Sequence, residues 1–303
     1  MNNKFISWAI FILLCFIWGS SFILMKESAK QLTISQIAAL RIFSAAIVFI
    51  PFAIFYISKL PGRIILVCII AGFFGNLIPA FLFAAAITRI DSSLTGILNS
   101  LTPICVALIA ISFFKDKISG QKIAGVLTGF AGVCLLTFTQ SDVSLNNLGF
   151  AALVVLATIS YGVNVNLVSH YLRQYHPLHT VSVSLAFMSI PTIIILWANG
   201  FFKIDFADAD IQWSTFASIL LGIVGSAIAT WLFYMLVQKA GGLFASLVTY
   251  GIPFIALFWG VIDGEKVTAI EVVCLGIILF GVYLANKPEK KQSTSETLVS
   301  KQT

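Results

Sequence analysis

Residues 72–103, GFFGNLIPAFLFAAAITRIDSSLTGILNSLTP, and residues 222–253, GIVGSAIATWLFYMLVQKAGGLFASLVTYGIP, align without a gap at a constant offset of 150. This register matches Gly72 with Gly222, Gly75 with Gly225, Ile78 with Ile228, Leu82 and Phe83 with Leu232 and Phe233, and Pro103 with Pro253. It also sets Arg89 against Lys239. A one-residue adjustment carries the correspondence on, from Asp116, Lys117, Ser119 and Gly132 to Glu265, Lys266, Thr268 and Gly281. Chance identities among Leu, Ile and Phe are common in apolar sequence. Glycines and prolines at fixed spacing followed by an acidic-basic pair are not, and the chain reads as a tandem duplication.

Of the 303 residues, 59% are hydrophobic and only 10% are charged, too few to coat a soluble globule. The chain belongs in a lipid bilayer. Apolar spans of the required length fall at 7–25, 35–57, 64–87, 92–114, 121–139, 148–169, 179–200, 213–237, 243–262 and 268–286. They are continuous rather than alternating, which excludes a barrel and predicts an all-α membrane protein of ten helices, five per half. The halves are 1–140 and 147–286, and the polar tail 287–303 lacks an apolar face and reads as disordered. The first span is not expected to be a cleaved leader, because no small-x-small site follows it.

Lys and Arg counts set the orientation. With a cytoplasmic N-terminus, twelve of the 18 fall on inner segments (Lys4, Lys59, Arg63, Lys115, Lys117, Lys122, Arg173, Lys239, Lys287, Lys290, Lys291 and Lys301). The bias places both termini inside. The net charge of +6 is an orientation signal on this reading, and no basic soluble scaffold is present to bind nucleic acid. The five cysteines, at 15, 68, 105, 134 and 274, lie inside spans without CxxC spacing and read as packing residues. The three histidines of HYLRQYHPLH, residues 170–179, fit no metal-site spacing, so neither metal nor cofactor is expected.

Several polar residues interrupt the spans. Trp18-Gly19-Ser20-Ser21 in the first is echoed by Tyr161-Gly162 with Asn164 and Asn166 in the sixth. Buried amides and hydroxyls need partners, which another helix or a ligand can supply. Arg41 lies about six residues into the second span, where it either snorkels to the headgroups or faces inward to hold a substrate carboxylate. The third and eighth spans set Asn76, Pro79 and Phe83 against Ser226, Thr230, Trp231 and Tyr234, and Pro79 is expected to bend its helix. Pro103 and Pro253 fall at mid-membrane, after Asn99, Ser100 and Thr102 in one half and after Thr249 and Tyr250 in the other. Prolines so placed in two repeats are the pattern of broken helices that build a site at the repeat interface. Ser119 and Thr268 stand as N-caps, Thr268 with Glu271 as a capping box. Gly125, Gly129 and Gly132 form a small-residue stripe suited to packing within the bundle or in a homodimer.

Five spans per repeat oblige the second repeat to enter the membrane upside down, and inverted repeats are the physical basis of alternating access. That favours a secondary transporter. No Walker A loop, HExxH, GxSxG or intramembrane carboxylate cluster occurs, though a membrane-embedded enzyme or a lipid-handling protein is the alternative class. The expected small-molecule pocket lies between the halves, lined by Trp18, Ser21, Arg41, Asn76, Phe83, Asn99, Tyr161, Asn164, Trp231, Tyr234 and Tyr250.

The runs FIWGSSF (16–22), ALRIFSAAIVFIP (39–51), LNSLTPICVALIAISFFKDKISGQKIAGVLTGFAGV (98–133) and VTYGIPFIALFWGVIDGEKVTAIEVVCLGIILFGVYL (248–284) resemble the two EamA repeats of the drug/metabolite transporter superfamily. The resemblance implies two inverted five-helix bundles, a bacterial inner-membrane location, and export of small metabolites such as amino acids or of toxic compounds. Asp116 stands where the family usually has glutamate, and Cys274 where it has glycine, departures that concern helix-end packing.

Overall fold

A computed structural model describes residues 3–87, 89, 92–140, 148–262 and 268–287. The acidic-basic pair Glu265 and Lys266 and the tail beyond Lys287 lie outside the described residues. Among those described, ten helices are long and apolar enough to cross a membrane: α1 Lys4–Ser28, α2 Ile34–Lys59, α3 Gly62–Ala86, α4 Leu94–Phe114, α5 Gly120–Thr139, α6 Gly149–Leu172, α7 Pro177–Ala198, α8 Ala209–Ala240, α9 Gly242–Trp259 and α10 Ala269–Asn286. Large apolar side chains face outward, among them Phe55 (72% exposed), Phe113 (79%) and Trp197 (72%). In water that surface would be prohibitive, whereas against acyl chains it costs nothing.

The helices pack mainly across the two halves. α5 lies along α10, α2 along α7, α3 and α4 against α6, and α8 and α9 against α1. Exchanging the halves maps this set of contacts onto itself. Glycines set the closest approaches. Gly72 meets the Ser184 carbonyl of α7, and its counterpart Gly222 meets the Arg41 carbonyl of α2. The stripe of α5 is used inside the bundle, with Gly125 and Gly129 against the Gly281 backbone and Gly132 against Ile278.

Caps and breaks follow the sequence in part. Thr268 and Glu271 form the capping box of α10, and Thr33 with Gln36 forms another at α2. Ser119 does not cap α5, and its Oγ is buried without a partner. α4 breaks at Ser100–Leu101, between the helical segments Ser92–Asn99 and Thr102–Phe114, and Pro103 follows at a position where a missing N–H costs nothing. In α9 the break comes earlier, at Leu247. Pro253 lies inside the continuous helix Val248–Ile262, so it ends no helix there. Pro79 is preceded by a π-helical turn, Phe73–Leu77. α8 has the same feature at Ile223–Ile228 with Ala229 in place of the proline, so the proline is not its cause.

Candidate functional site

The π-helical turns of α3 and α8 face one central cavity of about 180 Å³. A single water needs only about 10–15 Å³, so the space suits a small organic molecule. The wall is built from equivalent positions of the two halves: Gly75 and Gly225, Asn76 and Ser226, Asn99 and Thr249, Thr102 and Ile252, Trp18 and Tyr161, Ser21 and Asn164. Met25, Arg41, Val165, Thr230, Phe233, Tyr234 and Ser246 complete it.

Each aromatic-glycine pair has a mechanical reason. Gly19 lets α1 approach Ile252 and Ile255 of α9, and Gly162 lets α6 approach Cys105 and Ile109 of α4. The glycine brings in the helix that carries the proline, and the preceding aromatic is left at the cavity wall. Three residues on from each aromatic, Ser21 rests on Gly225 and Asn164 on Gly75. α1 and α6 are in this way keyed to the π-helical turns of the opposite half.

The polar groups of the wall are largely paired. Trp18 Nε1 donates to the Gly225 carbonyl at 3.0 Å, and its ring lies 5.5 Å from that of Phe233. Arg41 Nε donates to Ser226 Oγ at 2.7 Å, and Nη2 donates to the Gly225 carbonyl at 3.4 Å. Both acceptors belong to the irregular turn of α8. Asn164 Nδ2 donates to the Ala71 carbonyl at 2.6 Å and to the Tyr234 hydroxyl at 3.3 Å. Thr230 Oγ1 donates to Asn76 Oδ1 at 3.4 Å, which joins the turn of α3 to the helical segment that follows the turn of α8. Asn99 differs, because its Oδ1 is buried with no hydrogen-bond partner.

Of the residues expected from sequence, Trp18, Ser21, Arg41, Asn76, Asn99, Tyr161, Asn164 and Tyr234 come together here. Phe83 stops behind Tyr161, with ring centroids 6.1 Å apart, and its counterpart Phe233 lines the cavity instead. Tyr250 is fully buried away from it, with its ring on Gly129 and its hydroxyl donating to the Val126 carbonyl at 3.0 Å. Trp231 is also absent from the wall. Thr102, Ser226, Thr230 and Thr249 reach the wall although the sequence marked them only as polar neighbours, and the repeat register would have found Ser226 from Asn76 and Thr249 from Asn99.

A second crevice of about 460 Å³ lies at the helix ends, among Asp116, Lys117, Lys122, Gly241 and Lys287. There His170 Nε2 meets Asp116 Oδ1 at 3.1 Å and its ring stacks on Phe114 at 4.0 Å, tying the end of α4 to α6. His176 instead caps α7, and His179 stacks on Tyr56. Among the described residues no three His, Cys, Asp or Glu side chains are grouped to hold a metal.

Comparison with known proteins agrees with this architecture. The model of the EamA-like transporter family matches residues 6–138 and 149–287. An uncharacterized transporter of Archaeoglobus fulgidus is 25% identical over 278 residues, covering 91% of this chain and 97% of that protein. A WAT1-related chloroplastic protein of Arabidopsis thaliana is 24% identical over 298 residues, covering 95% and 71%. A protein of known crystal structure shares the fold with a TM-score of 0.70 at 14% identity, covering 92% of this chain and 96% of that one.

Proposed function

Because the chain belongs to the EamA-like transporter family of the drug/metabolite transporter superfamily, we propose that it is a secondary transporter. On this reading it exports small amphiphilic metabolites, amino acids or related toxic compounds, from a bacterial inner membrane by alternating access. Both termini are cytoplasmic, and the halves 1–140 and 147–286 are inverted repeats. The observation that carries the proposal is the cavity wall, where six pairs of equivalent residues from the two halves meet around one space. A site at such an interface can open to either side when one half rocks against the other. Trp18, Tyr161 and Phe233 supply aromatic surface, and the amides and hydroxyls between them orient a ligand.

The test is a substrate screen in an exporter-deficient bacterial host, scored by resistance and by intracellular accumulation. Lower accumulation of an intact compound supports export. Chemical turnover of a compound without transmembrane movement supports a membrane enzyme instead.

A further inference from the structure

Arg41 lies seven residues into α2, about 10 Å along the axis from its start. A cation at that depth is expensive unless something compensates it. Its partners, Ser226 Oγ and the Gly225 carbonyl, are both neutral. The described carboxylates are placed elsewhere. Glu27 accepts from Lys30 and Trp213, Asp116 meets His170, Glu271 caps α10, and Asp205, Asp208 and Asp210 lie at the start of α8. None of them lines the cavity that Arg41 faces.

The charge is also one-sided. Gly72 and Gly222 are equivalent, and they pack on the backbones of Ser184 and Arg41, which makes Ser184 the counterpart of Arg41 in the other half. Ser184 Oγ donates to the Cys68 carbonyl and lies near the Tyr234 hydroxyl, outside the wall. The cavity accordingly presents one guanidinium in an otherwise neutral and nearly symmetric lining. The same wall holds one orphaned acceptor, Asn99 Oδ1.

We propose that the cargo is a small organic acid with a single carboxylate, which Arg41 binds, and an ammonium or hydroxyl donor, which Asn99 binds. This inference rests on the transport reading above. Two of the five guanidinium N–H donors are used by α8, which leaves the remainder of the fork for an oxygen pair. A single positive charge balances one carboxylate, whereas a phosphate dianion would be left half neutralised.

Untargeted profiling of the medium of an exporter-deficient bacterial host, with and without the protein, tests this. Compounds enriched by the wild type should carry a carboxylate together with an N–H or O–H donor. Arg41→Gln should lower their export roughly 10- to 100-fold at equal membrane abundance, the size expected for one charge-assisted bond. Arg41→Lys should recover part of it, a point charge replacing the fork. Enrichment of compounds that lack a carboxylate overturns the inference while leaving transport standing, and so does wild-type export by Arg41→Gln. If Arg41→Gln does not reach the membrane, the chemistry of the wild-type medium decides alone. Enrichment of nothing removes the transport reading, and this inference with it.

Discussion

Asn164 occupies the space that a Cβ on Gly75 would need, and by the same geometry Ser21 crowds Gly225. The two contacts exchange partners between the halves, since α6 is keyed to the turn of α3 and α1 to the turn of α8. Each glycine is required where a helix from the opposite half closes on the cavity, and the helix-lining polar residue sits directly on it.

Gly75→Ala is therefore expected to separate α3 from α6. The intruding methyl would displace the Asn164 amide and its bonds to Ala71 and Tyr234, for a loss of about 1–3 kcal/mol. Gly276, inside α10, meets nothing within 4 Å of an added Cβ, so Gly276→Ala should hold or gain stability by up to about 1 kcal/mol. Melting of the two purified variants in detergent checks the contrast. Equal melting temperatures would mean that Gly75 is not a packing point.

Asn99 and Asn164 both line the cavity, but alanine should affect them differently. Asn99→Ala removes an amide whose oxygen has no partner, and it should reduce transport with no loss of stability. Asn164→Ala removes the bonds to the Ala71 carbonyl and the Tyr234 hydroxyl, and it should lower stability as well, by about 0.6–1.7 kcal/mol for each bond within a membrane. Trp231→Ala lies off the wall and should leave substrate affinity unchanged. Transport assays normalised to membrane abundance, paired with melting curves, separate these outcomes.

The topology makes its own prediction. If the halves are inverted repeats, cysteines placed at Lys117 and at Glu265 on a cysteine-free background should react with an impermeant thiol reagent from opposite faces. Labelling of both from one face would end the inverted-repeat reading and remove the symmetry argument for alternating access.

The apolar spans were enough to read the ten helices, and the duplication at an offset of 150 pointed to the interface where the cavity lies, because glycine and proline constrain backbone positions that apolar residues do not. It was not enough to sort the aromatic residues. Tyr250 stands beside a mid-membrane proline and looks like a ligand contact, yet it fills the gap left by Gly129, a partner 121 residues away in the chain. Phe83 and Phe233 are identical in type and register, and only the second reaches the wall. Pro79 suggested a bend of its own making, although the turn recurs in α8 without a proline. Such distinctions depend on which helix from the opposite half closes on each residue, and that pairing is not encoded in local spacing.

The remaining prediction concerns the energy source. A carrier driven by protons needs a group that takes up and releases a proton within the translocation path, ordinarily Asp, Glu or His. The cavity wall has none among its described residues, and Arg41 is a poor proton carrier because a guanidinium pKa stays above about 12 in general. His170 and Asp116 pair at the helix ends, beside the second crevice and outside the central wall. Export is then expected to run down the gradient of the cargo itself or to exchange one cargo for another. In proteoliposomes at zero membrane potential, with a substrate that does not titrate over the range used, an imposed pH gradient should leave the final distribution at equilibrium. Accumulation above equilibrium would place a proton on the path and refute gradient-driven movement.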